Sequence, residues 1–214
     1  MKRRLVIGVI VLLLIGGGAA AYFTTKDNDT TTPSTSQTSG GQSANGANFN
    51  PASTEDLEFT ATITTAGAGS ATFEHDDKGS TRYVATQNGQ QIEVVYTSDA
   101  YYSCQGDNCV KFPISQSSNS GFNPGDYTYD QTELANYRSS SSYKGKQSCP
   151  SGTCDVWSVS VSGNTSTIYI DADTKRITQV ESTIAGKTSK IVYEYKDVTI
   201  DIPANAQTIP TPSP

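Results

Sequence analysis

The chain is poor in the residues that carry enzymatic chemistry. Its 214 residues include one histidine and one tryptophan. A Ser-His-Asp hydrolase would have to use His75 as its base, with Asp76 and Asp77 too close in sequence to orient it readily. No G-x-S-x-G elbow occurs, so His75 reads as an ordinary strand residue. A C-x-x-C pair is also missing, which excludes thioredoxin-like redox catalysis. Beyond residue 4 the basic residues are not clustered, so neither nucleic acid nor an anionic lipid surface is an expected partner. Asp171 and Asp173 begin like a calcium loop, but Lys175 and Arg176 stand where an oxygen ligand and a glycine belong. Ser182 replaces the terminal glutamate, so the segment reads as a turn. No cofactor and no metal are expected. Helices long enough to cross over between parallel strands are absent too, which argues against a βαβ architecture.

What the chain has first is an anchor. Lys2, Arg3 and Arg4 precede an uncharged run from Leu5 to Phe23. As a helix that run spans about 28 Å, close to the bilayer's hydrocarbon thickness of roughly 30 Å. The basic residues orient it with residues 1–4 in the cytoplasm, 5–23 as a single-pass signal-anchor and the bulk of the chain outside. Ala19 and Ala21 also satisfy a signal-peptidase site after Ala21, which would give a secreted form. The run is longer than an ordinary signal-peptide core, and this favours the uncleaved anchor at the plasma membrane. No cysteine follows it, so lipidation there is excluded.

Residues 24–56 carry Thr, Ser, Gly, Asn, Asp and Gln with almost nothing to bury, and read as a disordered linker. Its r.m.s. reach is about 30 Å. Residues 57–209 form the expected extracytoplasmic β-domain, large enough for one core, and 210–214 a proline-rich tail. Setting the three N-terminal positive charges apart from the formal −6 leaves −9 outside.

Within the domain, Leu57, Phe59, Ala61 and Ile63 alternate with polar residues, as in a strand dry on one face. Similar runs follow at 71–76, 81–87, 90–97, 101–104 and 109–112, with Asn88-Gly89 as a strong hairpin signal. Residues 115–128 read as a loop, and Asp130–Tyr137 as one short helix. Further strands are expected near 143–149, 154–162, 165–171, 175–185 and 188–201. The predicted fold class is mainly β: a curved antiparallel sheet of about ten strands, half-barrel-like, with one short helix. One-sided strands need a cover, which is either the sheet's own aromatic core or an apolar ligand. Trp157 is a candidate platform or a core anchor, and Tyr193 and Tyr195 share a strand face with Ile191. These three are the candidate ligand-face aromatics.

The four cysteines occur as Cys104-x4-Cys109 and Cys149-x4-Cys154, each pair flanking turn-forming residues between strand-like runs. An oxidising exterior favours disulfides over a four-cysteine zinc site. Four cysteines permit three connectivities, and chain entropy does not choose among them. If both loops are hairpins, the local pairs fall within disulfide reach.

The C-terminal third carries Val156-Trp157-Ser158-Val159, then Thr167-Ile168-Tyr169-Ile170-Asp171-Ala172-Asp173-Thr174-Lys175-Arg176-Ile177. It closes on Tyr195-Lys196-Asp197-Val198-Thr199-Ile200-Asp201-Ile202-Pro203. A strand ending in Asp-x-x-Thr before a hairpin, and a last strand of this wording, resemble the lipoprotein-carrier superfamily of LolA/LppX-like half-barrels. The resemblance implies a curved antiparallel sheet whose concave apolar face takes acyl chains beneath a helical lid. The chain departs from that pattern in its protein anchor, its single short helix and its two hairpin cysteine pairs. The expected function is a non-catalytic, membrane-anchored module binding a lipid, lipoprotein or other apolar ligand. The alternative is a cell-surface structural or protein-interaction domain.

Overall fold

The computed structural model describes residues 48–87, 89–114, 122–161, 164–184 and 186–208. The expected membrane span, the linker up to residue 47 and the tail from 210 lie outside the described residues. Among the described residues no helix is long and apolar enough to cross a membrane.

The alternating runs form strands β1 (Phe59–Thr65), β2 (Gly69–His75), β3 (Thr81–Gln87), β4 (Gln90–Tyr96), β5 (Ala100–Gln105) and β6 (Asn108–Pro113). After helix α1 (Gln131–Ser139) come β7 (Ser141–Cys149), β8 (Gly152–Val161), β9 (Asn164–Asp171), β10 (Ile177–Ile184), β11 (Lys187–Tyr195) and β12 (Gln207–Thr208). They make one open, curved sheet in the order β12-β6-β5-β4-β3-β2-β1-β11-β10-β9-β8-β7. Two antiparallel meanders, β1 to β6 and β7 to β11, are stitched together by β1 on β11, with Phe59 facing Tyr195 and Thr65 facing Ser189. Tight turns make the meanders possible. Gly89 closes the β3–β4 hairpin at φ 77°, a left-handed conformation that glycine adopts without steric cost.

The first meander ends at one edge and the second begins at the other, so the connecting chain must cross a face of the sheet. Residues 122–140 make that crossing, and we call them the cover. They contain a 3-10 turn at Pro124–Asp126 and then α1. Helix α1 starts because the Asp130 carboxylate accepts the Glu133 N–H at 2.6 Å, and it buries Leu134 and Tyr137 from one side. The face beneath the cover, the inner face, holds the main core. The outer face has a smaller cluster of Val95, Ala100, Tyr102 and Ile200.

Three expectations need correction. The sheet has twelve strands rather than about ten, the extra pairing being β12 lying parallel to Val110 and Lys111 of β6. The strand expected over 188–201 stops at Tyr195. Beyond it Val198 and Ile200 fold onto Val95, Ala100 and Tyr102, so their apolar side chains serve the outer cluster rather than the ladder. Finally, residues 48–56, read by composition as the end of the linker, are packed: Phe49 and Thr54 are both fully buried.

Candidate functional site

Register aligns the inner-face residues into rows that run across the strands. One row passes through Ile92, Ala85, Ala71, Ile63, Ile191, Val180, Ile168 and Trp157, each facing the next on the neighbouring strand. Seven inter-strand steps of about 4.8 Å give an unbroken apolar strip of roughly 34 Å. A single-residue slip in any pairing would turn that strand's contribution to the opposite face, so the row depends on every register in the set.

The strip has unlike borders. On one side lies an aromatic region: Phe59, Phe73, Tyr83, Tyr96 and Tyr193. The cover rests here, with Tyr127 stacked on Phe73 at 4.9 Å and Phe122 against Tyr83 at 4.8 Å. It is also held by hydrogen bonds. The Tyr96 hydroxyl donates to the Phe122 carbonyl at 3.0 Å, and the Tyr193 hydroxyl to the Tyr127 carbonyl at 3.3 Å. On the other side is a rim of hydroxyls on four adjacent strands. Thr65 bonds Ser189 at 2.9 Å, and Ser166 bonds Ser182 at 2.6 Å. All of these inner-face residues are buried: Phe59, Ala61 and Phe73 are 0% exposed, Tyr193 4%, Tyr96 7% and Tyr83 8%, and the strip runs from 1% at Trp157 and 2% at Ile168 to 9% at Ile191. The cover's ring contacts on the sheet fall in the aromatic region, beside the aliphatic strip.

The candidate aromatics all lie on the inner face. Trp157 is 1% exposed, edge-on to Phe49 at 5.6 Å and beside Tyr143 at 5.0 Å. Tyr193 is buried below the cover, next to Tyr129. Tyr195 is half-buried, donates to the Ile177 carbonyl at 2.7 Å and carries the Arg176 guanidinium over its ring. Burial pushes the Tyr129, Tyr193 and Tyr195 hydroxyls well above their ordinary range, so they remain neutral donors at any physiological pH.

The cover also buries acid groups. Burial raises the Asp126 carboxyl to about 6, opposed by the Asn123 amide that donates to it and assisted by the charge of Glu133. Burial raises Glu133 as well, while the Tyr137 hydroxyl donates to it. The outer face carries the ordinary surface charge, for example Arg82 between Glu93 at 2.7 Å and Glu74 at 3.1 Å.

The titratable residues considered from sequence have structural partners. His75 Nδ1 bonds the Leu57 carbonyl at 2.9 Å, and its ring stacks on Phe59 at 5.4 Å. One Asp76 carboxylate oxygen accepts the Lys78 and Ser80 N–H groups, which fixes a turn. Asp171 is an analogous turn residue. The Ser151 hydroxyl, together with the backbone N–H groups of Thr174 and Asp173 and the Thr174 hydroxyl, holds its carboxyl down to about 2. Among the described residues no group of three His, Cys, Asp or Glu side chains is placed to hold a metal. Cys104 is bonded to Cys109 and Cys149 to Cys154, the local pairing of two hairpins and the state expected of an oxidising compartment.

No protein-family model matches the sequence, and no curated protein matches it. Solved structures do. The lipoprotein LppX of Mycobacterium tuberculosis superposes with a TM-score of 0.51 at 13% identity, over 69% of this chain and 92% of that one. LprF of Mycobacterium bovis does so with a TM-score of 0.50 at 13% identity, over 71% and 92%. The chain has an LppX-like fold. At such identity the likeness extends to the LppX-like fold alone, and the rows described above are this chain's own. Two parts of the site were missed by sequence reasoning. The rows depend on the β1–β11 register, which no local pattern reveals. The buried segment did have a signal: Phe49 is the one large apolar residue between 24 and 56.

Proposed function

We propose that this domain is a non-catalytic binding module for a lipid, lipoprotein or other apolar ligand. It would be displayed outside the cytoplasm on the N-terminal span, with residues 24–47 as its stalk. The observation that carries the reading is the aliphatic strip itself. It is continuous over eight strands, bordered by hydroxyls on four of them, and lies beside the aromatic floor that the cover's rings contact. An alkyl chain laid along the strip would bury its own methylenes there, each contributing about 0.8 kcal/mol. The hydroxyl rim would meet a polar headgroup at the water boundary. The LppX-like fold and the two disulfides support the same reading, as does the acidic exterior, which gives no footing to polyanions.

Ala71 and Ala85 carry the smallest side chains of the strip, and Ala71→Phe would fill the space above it without adding charge. Ala71 is buried, so the variant is expected to lose about 1–3 kcal/mol of stability and, where circular dichroism shows it still folded, roughly tenfold or more of its uptake of a fluorescent fatty acid. Equal uptake by parent and variant would place the ligand elsewhere or nowhere. One observation favours the second reading, a display or interaction domain: the inner-face aromatics already satisfy one another through the cover. In that case parent and variant alike would take up no lipid.

A further inference from the structure

Residues 49–54 join the cover to the sheet. Phe49 is inserted against Trp157 of β8, and the Ala52 N–H donates to the Lys175 carbonyl between β9 and β10 at 2.8 Å, so this side grips the sheet. The other side grips the cover at both ends of α1. Before the helix, the Thr54 N–H donates to the Tyr129 carbonyl at 3.0 Å and the Tyr129 N–H donates back to the Thr54 hydroxyl at 2.7 Å. Ser53 adds a third bond to the same carbonyl at 2.9 Å. In the last turn, Arg138 Nε donates to the Phe49 carbonyl at 3.0 Å and its Nη2 to the Asn50 side chain at 2.9 Å.

The helix so held has little of its own to keep it in place. It has nine residues, and only Leu134 and Tyr137 are buried. A helix of that length is not stable without tertiary support. Neither disulfide reaches it, since both close hairpins elsewhere in the sheet. Besides the core contacts of Leu134 and Tyr137, that support comes from 49–54, a short run that follows the Ser/Thr/Gly-rich stretch in sequence.

We infer that residues 49–54 are a releasable latch on the cover: withdrawing them toward the N-terminus frees α1 and uncovers Trp157 and the β8 end of the aliphatic strip. Force or an interaction acting on the N-terminal stalk is thereby transmitted to the inner face. That uncovering admits a ligand rests on the binding reading above; the latch itself does not.

Trp157 is the only tryptophan, so its fluorescence reports on the latch directly. The full chain is compared in detergent micelles with Phe49→Ala, with Thr54→Val, which keeps the side-chain volume but removes the acceptor, and with Ile200→Ala on the outer face as a control for general destabilisation. In Phe49→Ala, acrylamide quenching of Trp157 is expected to rise severalfold and its emission to shift to the red. In Thr54→Val, amide exchange over 129–139 is expected to quicken about fivefold, the effect of one lost hydrogen bond on a local opening. Amides of β1 and β11 should keep their protection in both variants, and Ile200→Ala should leave Trp157 shielded. The inference is overturned if Trp157 stays shielded in Phe49→Ala, or if protection falls equally in the cover and in the β1–β11 pairing. A latch that opens without any uptake of lipid would refute the binding reading and leave the latch intact.

Discussion

Asp126 shows how much one buried group can weigh in the cover. Its folded-state pKa of about 6 lies above the unfolded value near 3.9, so the folded protein holds the proton more tightly. The resulting stability is complete below about pH 4 and is lost as pH rises through 6. Asp126→Asn removes that loss. The variant is expected to melt at a higher temperature than the parent at pH 7.5 and close to it at pH 4.5, as read by thermal unfolding at the two values. An equal difference at both would mean that Asp126 does not titrate in this range. Glu133 is shifted in the same direction, so part of the pH dependence should survive in the variant. From sequence Asp126 is one acid in a loop, because desolvation comes from the cover folding back over the sheet. His75 is the opposite case. Its neighbours along the chain already made catalysis implausible, and its carbonyl partner and ring stack give it a structural role.

At the level of elements, the sequence is most informative where structure is local. Alternation located the strands of both meanders, and Leu134 and Tyr137, three apart, located α1. Turn residues between paired cysteines pointed to hairpins, and Cys104 does face Cys109 across β5 and β6. A bridge closing a six-residue ring is worth about 2 kcal/mol in the chain-entropy picture. The double variant Cys104→Ser/Cys109→Ser should therefore lose about 2 kcal/mol in chemical denaturation. Its β5–β6 hairpin should persist, because the remaining register is made by Ser103 with Val110 and Tyr101 with Phe112. Loss of the hairpin itself would mean that the bond, rather than the ladder, holds it. The elements that escaped prediction are those whose partners are distant in sequence. Residues 196–201 look like the continuation of a strand until the outer cluster of Val95, Ala100 and Tyr102 draws Val198 and Ile200 away. The two residues of β12 pair with β6, nearly a hundred positions earlier, and carry no pattern of their own.

The whole molecule is an open sheet with both edges attended to. The β6 edge carries β12. The β7 edge is interrupted by an irregularity at Tyr143 and Gly145 and presents Lys144 and Lys146, features that discourage further strand pairing. One inner face is left to be covered, and the chain covers it unevenly: aromatics under a tied-down crossing segment, aliphatics beside it, hydroxyls at the rim. That unevenness is the basis of the functional proposal. It emerges only when β1 and β11 join two meanders that are each unremarkable in sequence. The most direct test is native mass spectrometry of the intact chain, purified gently from cells that make it. The account predicts a bound species of lipid mass on the parent that is absent from Ala71→Phe. A parent that appears only at its own mass, and takes up no added lipid, would contradict it.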